Sequence, residues 1–300
     1  MGHRRAVALM VAVTLLWSMA GVVTRHLEAA RAFEVTFWRS AFNALALAAA
    51  LTALRGPGLW RDLWRAPWPL WVSGLCWSVM FTAFMVAITL TMVANVLVTL
   101  AVAPLLTALL ARLLLGHRLP ARTWLAIAAA GAGMGWMFHE GASAHSGARL
   151  GMGVAFAVPL AAALNWTVLQ HVSRAERAGG ARTDMLPAVL VGAVISALLT
   201  LPAATPLRAS PHDLGLLALL GVVQLAIPCL LAMRVARVLP APEVALLALL
   251  EVVFGVLWAW LGAGEAPSTA TLAGGTVVLA ALGLNEWFAM RRRAQQPAAA

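Results

Sequence analysis

The sequence predicts an all-α, polytopic membrane protein with ten transmembrane helices, arranged as two inverted repeats of five helices each. Three observations support this fold class: the composition, the long apolar segments and the distribution of arginine. Hydrophobic residues make up 62% of the 300 residues and charged residues only 11%, whereas soluble domains average about half and about a quarter. A chain with so much apolar surface requires the lipid bilayer as its solvent.

Ten apolar segments are long enough to cross a bilayer. Each has about twenty residues, and a helical rise of about 1.5 Å per residue spans a hydrocarbon core of about 30 Å. The first segment is longer than the apolar region of a signal peptide, so we interpret it as a retained span. The predicted spans are residues 6–24, 33–54, 68–89, 92–114, 122–139, 150–173, 185–203, 212–235, 240–262 and 268–289.

Arginine supplies all 21 basic residues, and its distribution predicts the orientation of the spans. If the N-terminus is cytoplasmic, sixteen arginines lie on the cytoplasmic side and four on the opposite side, while Arg39 lies within the second span. Short loops rich in arginine stay in the cytoplasm. We therefore expect a multi-pass protein of the cell inner (plasma) membrane with both termini in the cytoplasm.

The charged residues also exclude some classes of function. The net charge of +10 is spread over short loops and forms no single basic face, so no nucleic-acid partner is expected. The chain contains no lysine, which excludes a phosphate-loop lysine and a Schiff base. A transporter of this sequence would therefore use facilitated diffusion or an ion gradient.

The two halves of the chain resemble each other at an offset of 148 residues, which pairs Gly116 with Gly264 and Gly135 with Gly283. Five spans per half is an odd number, so the halves would insert in opposite orientations. Inverted repeats of this kind are typical of transporters with a substrate site near the bilayer midplane. We predict a first repeat at residues 1–145, a second at 146–293 and a disordered tail at 294–300.

Short segments in both halves resemble a known repeat signature. The second half has Leu-Leu-Glu-Val-Val-Phe from Leu249 and Gly-Glu-Ala-Pro-Ser from Gly264, and the first half has Ala-Pro-Leu-Leu from Ala103. These segments resemble the drug/metabolite transporter superfamily, EamA type, and the chain is most similar to YddG-type exporters of aromatic amino acids. Two departures are Val252, where family members often have Pro, and His117, where the first repeat usually has Glu.

Polar and aromatic residues inside the spans are the candidates for the transport site, because an unpaired polar group that faces acyl chains costs several kcal/mol. The resemblance implies that spans one, three, four, six, eight and nine line the cavity. Aromatic rings would surround an apolar side chain of the substrate, and amides would bind its carboxylate or amine. The candidates for substrate binding are Trp17, Ser18, Trp77, Phe81, Asn95, Thr99, Asn165, Trp166, Gln224 and Glu251.

Each candidate also has a purely structural interpretation. Ser18 and Thr99 could bond to a carbonyl of their own helix, and the tryptophans could be packing residues. Glu251 could bind a proton or could only join two helices. Arg39 is expected to pair with a carbonyl or a carboxylate of the protein, and a contact with the substrate carboxylate is the minor alternative.

Prolines and glycines predict where the helices bend and approach closely. Pro228 should bend the eighth span and is the candidate hinge for alternating access. Gly131 and Gly135 form a GxxxG pattern, which predicts close packing of the fifth span against another helix.

The expected function is secondary export of small amphipathic metabolites, amino acids above all, by alternating access through a central cavity. No enzymatic activity, metal or cofactor is expected, and the partners are a small amino-acid-like substrate and the lipid bilayer, with a monomer as the simplest assembly. One alternative is a transporter of another solute class, such as a drug-like cation or a nucleotide-type metabolite. A membrane-embedded lipid enzyme is a weaker alternative, because the sequence has no HExxH motif and no carboxylate-rich metal cluster.

Overall fold

The computed structural model contains helices and no strands over the residues that it describes, as the composition predicts. The described residues are 2–115, 120–141, 146–179, 183–235, 238–239, 244 and 247–295. Residues 296–300 of the predicted tail lie outside them, and the last described helix ends at Gln295.

The helices follow one another along the chain with short connections. The first half contains α1 (His3–Ser18), α2 (Ala20–Thr24), α3 (Ala32–Arg55), α4 (Gly58–Trp64), α5 (Trp68–Leu90), α6 (Val93–Ala101), α7 (Ala103–Leu115) and α8 (Ala121–Gly141). The second half contains α9 (Ser146–Arg177), α10 (Pro187–Ala204), α11 (Pro211–Leu219), a π-helix (Leu220–Ala226), α12 (Ile227–Val235), α13 (Leu250–Ala263) and α14 (Thr269–Gln295).

Seven helical segments in the described part of the chain are long and apolar enough to cross a membrane, and they coincide with predicted spans one to four and six to eight. The apolar helix α13 is shorter, and α8 and α14 lie where spans five and ten are predicted. The total of ten spans therefore stays a prediction. The seven segments are His3–Thr24, Phe33–Arg55, Trp68–Leu90, Val93–Leu110, Arg149–Glu176, Pro187–Ala204 and Pro211–Ala232.

The fourth span of each half is interrupted at an equivalent place. In the first half the interruption is at Val102, between α6 and α7, where Pro104 in the first turn of α7 lacks the N–H that would continue α6. In the second half a turn at Leu249 precedes α13, which begins at Leu250, so this break lies 147 residues after the first, within one residue of the offset of 148. The shared offset supports the predicted internal repeat, and interrupted helices are a common feature of transporter binding sites.

The eighth span contains the π-helix, which ends two residues before Pro228. A proline ring inside a helix clashes with the carbonyl four residues earlier, which here belongs to Gln224. A π-helical turn widens the backbone and accommodates such a residue. The irregularity that the sequence predicts at Pro228 is therefore present as a π-helix, while its role as a hinge stays a prediction.

Helices of one half pack directly against helices of the other half: α3 and α5 contact α10, and α3 also contacts the π-helix. Two glycines permit close crossings between these helices. A Cβ atom on Gly192 would lie 2.4 Å from the Trp77 Cβ atom, and one on Gly221 would lie 2.7 Å from the Arg39 carbonyl oxygen. Small residues at such crossings let the helix backbones approach closely. The resulting van der Waals contacts hold the helices together, because the hydrophobic effect does not drive helix association within lipid.

The fifth span packs on the tenth through a different glycine from those that the sequence predicted. A Cβ atom on Gly133 of α8 would lie 2.7 Å from the Gly274 carbonyl oxygen of α14. A Cβ atom on Gly131 or Gly135 would meet no described atom within 4 Å, so the predicted GxxxG contact is not made with the described part of this chain. Gly133 lies about 160° around the helix from both of these glycines, so α8 meets α14 on the face opposite the GxxxG pattern.

At one end of the bundle, three carboxylates join the two halves, and we call this the latched end. It comprises the connections at residues 25–31, 91–93, 205–213 and 264–268. The Asp213 carboxylate accepts hydrogen bonds of 2.9 Å from the backbone N–H groups of Glu28, Ala29 and Ala30. Glu34 at the start of α3 accepts two bonds of 2.7 Å from the N–H groups of Arg208 and Ala209.

Glu265 and Arg25 complete the latched end by capping two helix termini. The Arg25 guanidinium donates to the carbonyls of Ile88 and Thr91 at the end of α5, at 2.8 and 2.9 Å. Glu265 accepts a 2.6 Å bond from the N–H of Val93, the first residue of α6, and pairs with Arg25 at 2.9 Å. Cations at helix C-termini and anions at N-termini satisfy the free backbone groups there.

The opposite end of the bundle also has contacts between the halves. Arg55 of α3 forms an ion pair with Asp184, and Thr123 of α8 donates a 3.0 Å hydrogen bond to Asn285 of α14. In the predicted orientation this end is cytoplasmic, and the latched end lies on the outer side.

Replacing Gly133 by valine should lower the free energy of unfolding by about 1 to 3 kcal/mol, because the added side chain overpacks the crossing with α14. The matched change Gly131→Val adds the same side chain two residues away, where space is open, and should be neutral. Thermal unfolding of the detergent-solubilised proteins compares the two variants. Equal melting temperatures for both would contradict the described crossing.

Asp213→Asn should lower the free energy of unfolding by about 2 to 3 kcal/mol, because an amide keeps only one acceptor oxygen and no charge for the three N–H groups. Asp62, whose side chain is 74% exposed, provides the control Asp62→Asn, which should change little. Chemical denaturation in mixed micelles measures both. A stable Asp213→Asn variant would mean that this carboxylate does not hold the connection between α2 and α3.

Candidate functional site

A buried arginine lies between the two halves of the bundle. Arg39 is on α3, two helical turns from its start, and is only 2% exposed. Its Nε and Nη2 atoms donate hydrogen bonds of 3.2 and 3.0 Å to Gln224 Oε1, while Nη1 has no hydrogen-bond partner. The guanidinium carbon lies 5.6 Å from the centre of the Phe84 ring, within the range of a cation–π contact.

Gln224 connects three elements at this position. It projects from the π-helix, accepts from Arg39 on α3 and donates a 3.0 Å hydrogen bond from Nε2 to the Trp17 carbonyl near the end of α1. The amide is 2% exposed, so its bonds form in a medium with little water. The Gln224 amide therefore fixes the plane of the guanidinium, while the donors of the buried Nη1 atom stay unused.

Two further groups from the second half face the arginine. Glu251, in the first turn of α13, and Cys229 of α12 both interact electrostatically with the Arg39 guanidinium. Trp17 packs against the hydrophobic cluster that contains Cys229, which brings the end of α1 next to α12. Glu251 retains partial exposure, whereas Arg39 beside it is buried. The opposite charges of Arg39 and Glu251 offset each other in a low-dielectric setting.

Aromatic side chains form an apolar wall next to these polar groups. Trp17, Trp77 and Phe81 belong to one hydrophobic cluster together with Leu225 and Cys229, and the Trp77 and Phe81 rings are 5.5 Å apart. Trp17 and Trp77 are only partly buried. We call the combined set the central cluster; it consists of Trp17, Arg39, Trp77, Phe81, Gln224, Cys229 and Glu251.

The central cluster contains five of the ten candidates that the sequence predicts: Trp17, Trp77, Phe81, Gln224 and Glu251. Arg39, for which the sequence analysis favoured a structural role, interacts with two of these five, Gln224 and Glu251. The second span was also not expected to line the site. The structure brings Trp17, Trp77, Phe81, Gln224 and Glu251 together, but their role in substrate binding stays a prediction.

Asn43 is a further buried polar residue that the sequence analysis did not single out. It lies one turn beyond Arg39 on the same face of α3, is fully buried, and neither its Oδ1 nor its Nδ2 atom has a hydrogen-bond partner. Thr36, Arg39, Ser40 and Asn43 follow the spacing of one helix face, and all four are buried. This polar stripe in an otherwise apolar span was the available sign that span two faces the interior.

Asn95 and Thr99 lie away from the central cluster, towards the latched end. Asn95 accepts a 2.7 Å hydrogen bond from Thr271 of α14, and the Thr99 hydroxyl donates to the Asn95 carbonyl at 2.7 Å. Ser18 donates to the Leu15 carbonyl of its own helix at 2.8 Å. The hydrogen bonds that Ser18, Asn95 and Thr99 make in this conformation therefore fit the structural interpretation, because they join two helices or bond back to the same helix.

Asn165 and Trp166 of α9 are also separate from the central cluster. Asn165 accepts a 2.6 Å hydrogen bond from Ser73 of α5 and is 1% exposed, so it joins two helices. Trp166 is 47% exposed. None of the contacts described for either residue reaches Arg39 or Gln224.

Comparison with known proteins places the chain in a family. The profile of the EamA-like transporter family matches residues 4–138 and, a second time, residues 149–286. The chain belongs to the EamA-like transporter family. The two matched segments correspond to the two halves that the sequence offset predicts, and members of the EamA family are membrane transporters of small solutes.

Structural comparison agrees with the EamA architecture. A solved crystal structure superimposes with a TM-score of 0.61 at 21% identity, over 97% of this chain and 99% of that one, which establishes a shared fold. Curated protein sequences give no significant match. This EamA-like protein is therefore an all-helical, multi-pass membrane transporter built from two repeats.

The Gln224→Met variant of this EamA-like protein should lose about 2 to 4 kcal/mol in free energy of unfolding, because it leaves the buried Arg39 guanidinium without its described hydrogen bonds. Gln170→Met is the control, since Gln170 also lies in an apolar helix but is exposed. Thermal unfolding in detergent compares the variants. If both variants unfold at the same temperature as the wild type, the hydrogen bonds from Arg39 to Gln224 do not stabilise the protein.

Proposed function

We propose that this EamA-like protein is a secondary transporter that exports small amphipathic metabolites, amino acids above all, through a site formed by the central cluster. The observation that carries the proposal is the buried Arg39–Gln224 pair between the two repeats, beside an apolar aromatic wall. A buried charged side chain inside membrane-spanning helices is costly and usually functional. Its position between inverted repeats is where transporters of this plan bind substrate.

The chemistry of the central cluster fits an amino acid with an apolar or aromatic side chain. The Arg39 guanidinium offers a polar group for the amino-acid backbone, and Trp17, Trp77 and Phe81 offer rings for its side chain. Aromatic pairs with ring centres 4.5 to 7 Å apart are favourable, so a further ring could extend the Trp77–Phe81 contact. The sequence resemblance to YddG-type exporters of aromatic amino acids, which is itself part of this proposal, implies the same substrate class.

Alternating access is supported by two features of the fold. The latched end is held closed by contacts between the halves through Glu34, Asp213 and Glu265. The fourth span of each half is interrupted, and the eighth contains a π-helix beside Pro228. Interrupted helices change shape at a few residues, so the halves can move about a fixed central site.

The distribution of arginine supports an inner-membrane location with both termini in the cytoplasm. In that orientation the latched end faces outward, and its contacts between the halves would close the site to the exterior. Export then begins with the substrate entering from the cytoplasmic end.

Transport by purified protein in liposomes tests the proposal. Proteoliposomes loaded with unlabelled solute are assayed for uptake of labelled L-phenylalanine, L-leucine, L-threonine and L-glutamate. A quaternary ammonium cation and a nucleoside monophosphate represent the other solute classes. We expect uptake of at least the apolar amino acids above protein-free liposomes. Uptake of only the cation or the nucleotide, or of no solute in the panel, would refute amino-acid transport.

A matched pair of tryptophan variants locates the site in the same assay. Trp77→Ala should slow phenylalanine uptake about 5- to 10-fold, since it removes an aromatic contact next to Phe81. Trp258→Ala removes a tryptophan that is 42% exposed on α13 and should leave the rate unchanged. Equal rates for the two variants would place the substrate elsewhere.

A further inference from the structure

Unused hydrogen-bonding capacity in the described part of the chain is concentrated on α3. Five residues have buried side-chain nitrogen or oxygen atoms without a hydrogen-bond partner, and four of the five lie on this helix. Two of these four, Arg39 and Asn43, lie one turn apart on the face that meets the second half. Buried polar groups are almost always hydrogen-bonded in proteins, so such a concentration indicates a surface that binds a polar ligand.

Arg39 is held so that only one part of its guanidinium is available. Gln224 Oε1 accepts from Nε and Nη2, and the Phe84 ring lies 5.6 Å from the guanidinium carbon. The remaining Nη1 atom is buried and carries donors that are not used. A carboxylate oxygen is the strongest acceptor for such a donor, because the hydrogen bond is assisted by opposite charges.

The net charge next to Arg39 restricts the ligand further. Glu251 lies within electrostatic reach of the guanidinium and is the partly exposed member of the pair. With both groups ionised the pair is neutral, and a ligand with one positive and one negative charge keeps it neutral. A lone cation or a lone anion would add an uncompensated charge in a low-dielectric site, which is costly.

From these observations we infer that Arg39 and Glu251 recognise the zwitterionic backbone of an α-amino acid, with the carboxylate on Arg39 Nη1 and the ammonium group on Glu251. Asn43 lies along the same face of α3 and offers additional amide hydrogen bonds. Gln224 acts through Arg39 and is a positioning residue. The inference rests on the proposed function and deepens it, since it names the substrate groups that the central cluster distinguishes.

The inference predicts selectivity among compounds with the same side chain. L-phenylalanine, 2-phenylethylamine and 3-phenylpropionate share a phenyl group, but the second lacks the carboxylate and the third lacks the ammonium group. A site built to bond a substrate group rejects an analogue without it, because its own polar groups are then left unpaired. We expect the purified protein to bind both analogues at least about tenfold more weakly than phenylalanine, as measured by isothermal titration calorimetry in detergent.

Two variants assign the two charges separately. Arg39→Gln should abolish the preference for phenylalanine over 2-phenylethylamine, and Glu251→Gln should abolish the preference over 3-phenylpropionate. Arg149→Gln and Glu28→Gln are the matched controls, because Arg149 is exposed and the Glu28 side chain is 69% exposed. Both controls should keep the wild-type affinity ratios.

The outcomes separate this inference from the proposed function. It is overturned if the wild type binds either analogue as tightly as phenylalanine, if it binds none of the three compounds, or if each variant keeps its affinity ratio. If the Arg39→Gln variant does not fold, the affinity ratios of the wild type and of Glu251→Gln still test the inference. If the proteoliposomes take up amino acids but these affinity ratios are absent, the proposed function holds and the inference about Arg39 and Glu251 fails. If the affinity ratios are as expected but the proteoliposomes take up no amino acid, the recognition of the zwitterion is supported and the proposed transport is refuted.

Discussion

The burial of a guanidinium inside an apolar helical bundle is the constraint on which the rest of this structure depends. A charge removed from water needs compensation from hydrogen bonds and from a nearby opposite charge. Here Gln224 supplies the first and Glu251 the second, and each comes from the repeat that does not contain Arg39. The two halves must therefore associate closely for the arginine to be tolerated at all.

The close approach of the halves follows from small residues and from irregular backbone. Gly221 lets the π-helix contact the backbone of α3 beside Arg39, and the π-helix itself accommodates Pro228 a few residues later. In this way one proline in the sequence changes the path of the eighth span, and Gln224 lies on the changed segment. The local backbone chemistry thus places the amide that orients the guanidinium.

The latched end uses a different physical device from the central cluster. Its carboxylates bond mainly to backbone N–H groups of connecting segments and helix starts, where such groups have no partner within the helix. Asp213 and Glu34 are as fully buried as Arg39, so the backbone N–H groups compensate their charge, and these contacts cross between the halves. A transporter can exchange bonds of this kind for bonds to water during a conformational change more easily than it can expose a hydrophobic core.

The sequence by itself determined the helical membrane fold, the first four and the sixth to eighth spans, and the division into two repeats, because apolar length and charge placement are properties of consecutive residues. It also indicated Trp17, Trp77, Phe81, Gln224 and Glu251. Tertiary structure alone decided that Gln224 and Glu251 interact with Arg39, that Asn95 and Asn165 bond to other helices, and that Gly133 rather than Gly131 makes the crossing. Which face of a span turns inward depends on the neighbours that pack against it. Those neighbours lie far away along the chain: Asn165 is 92 residues from Ser73, and Gln224 is 185 residues from Arg39.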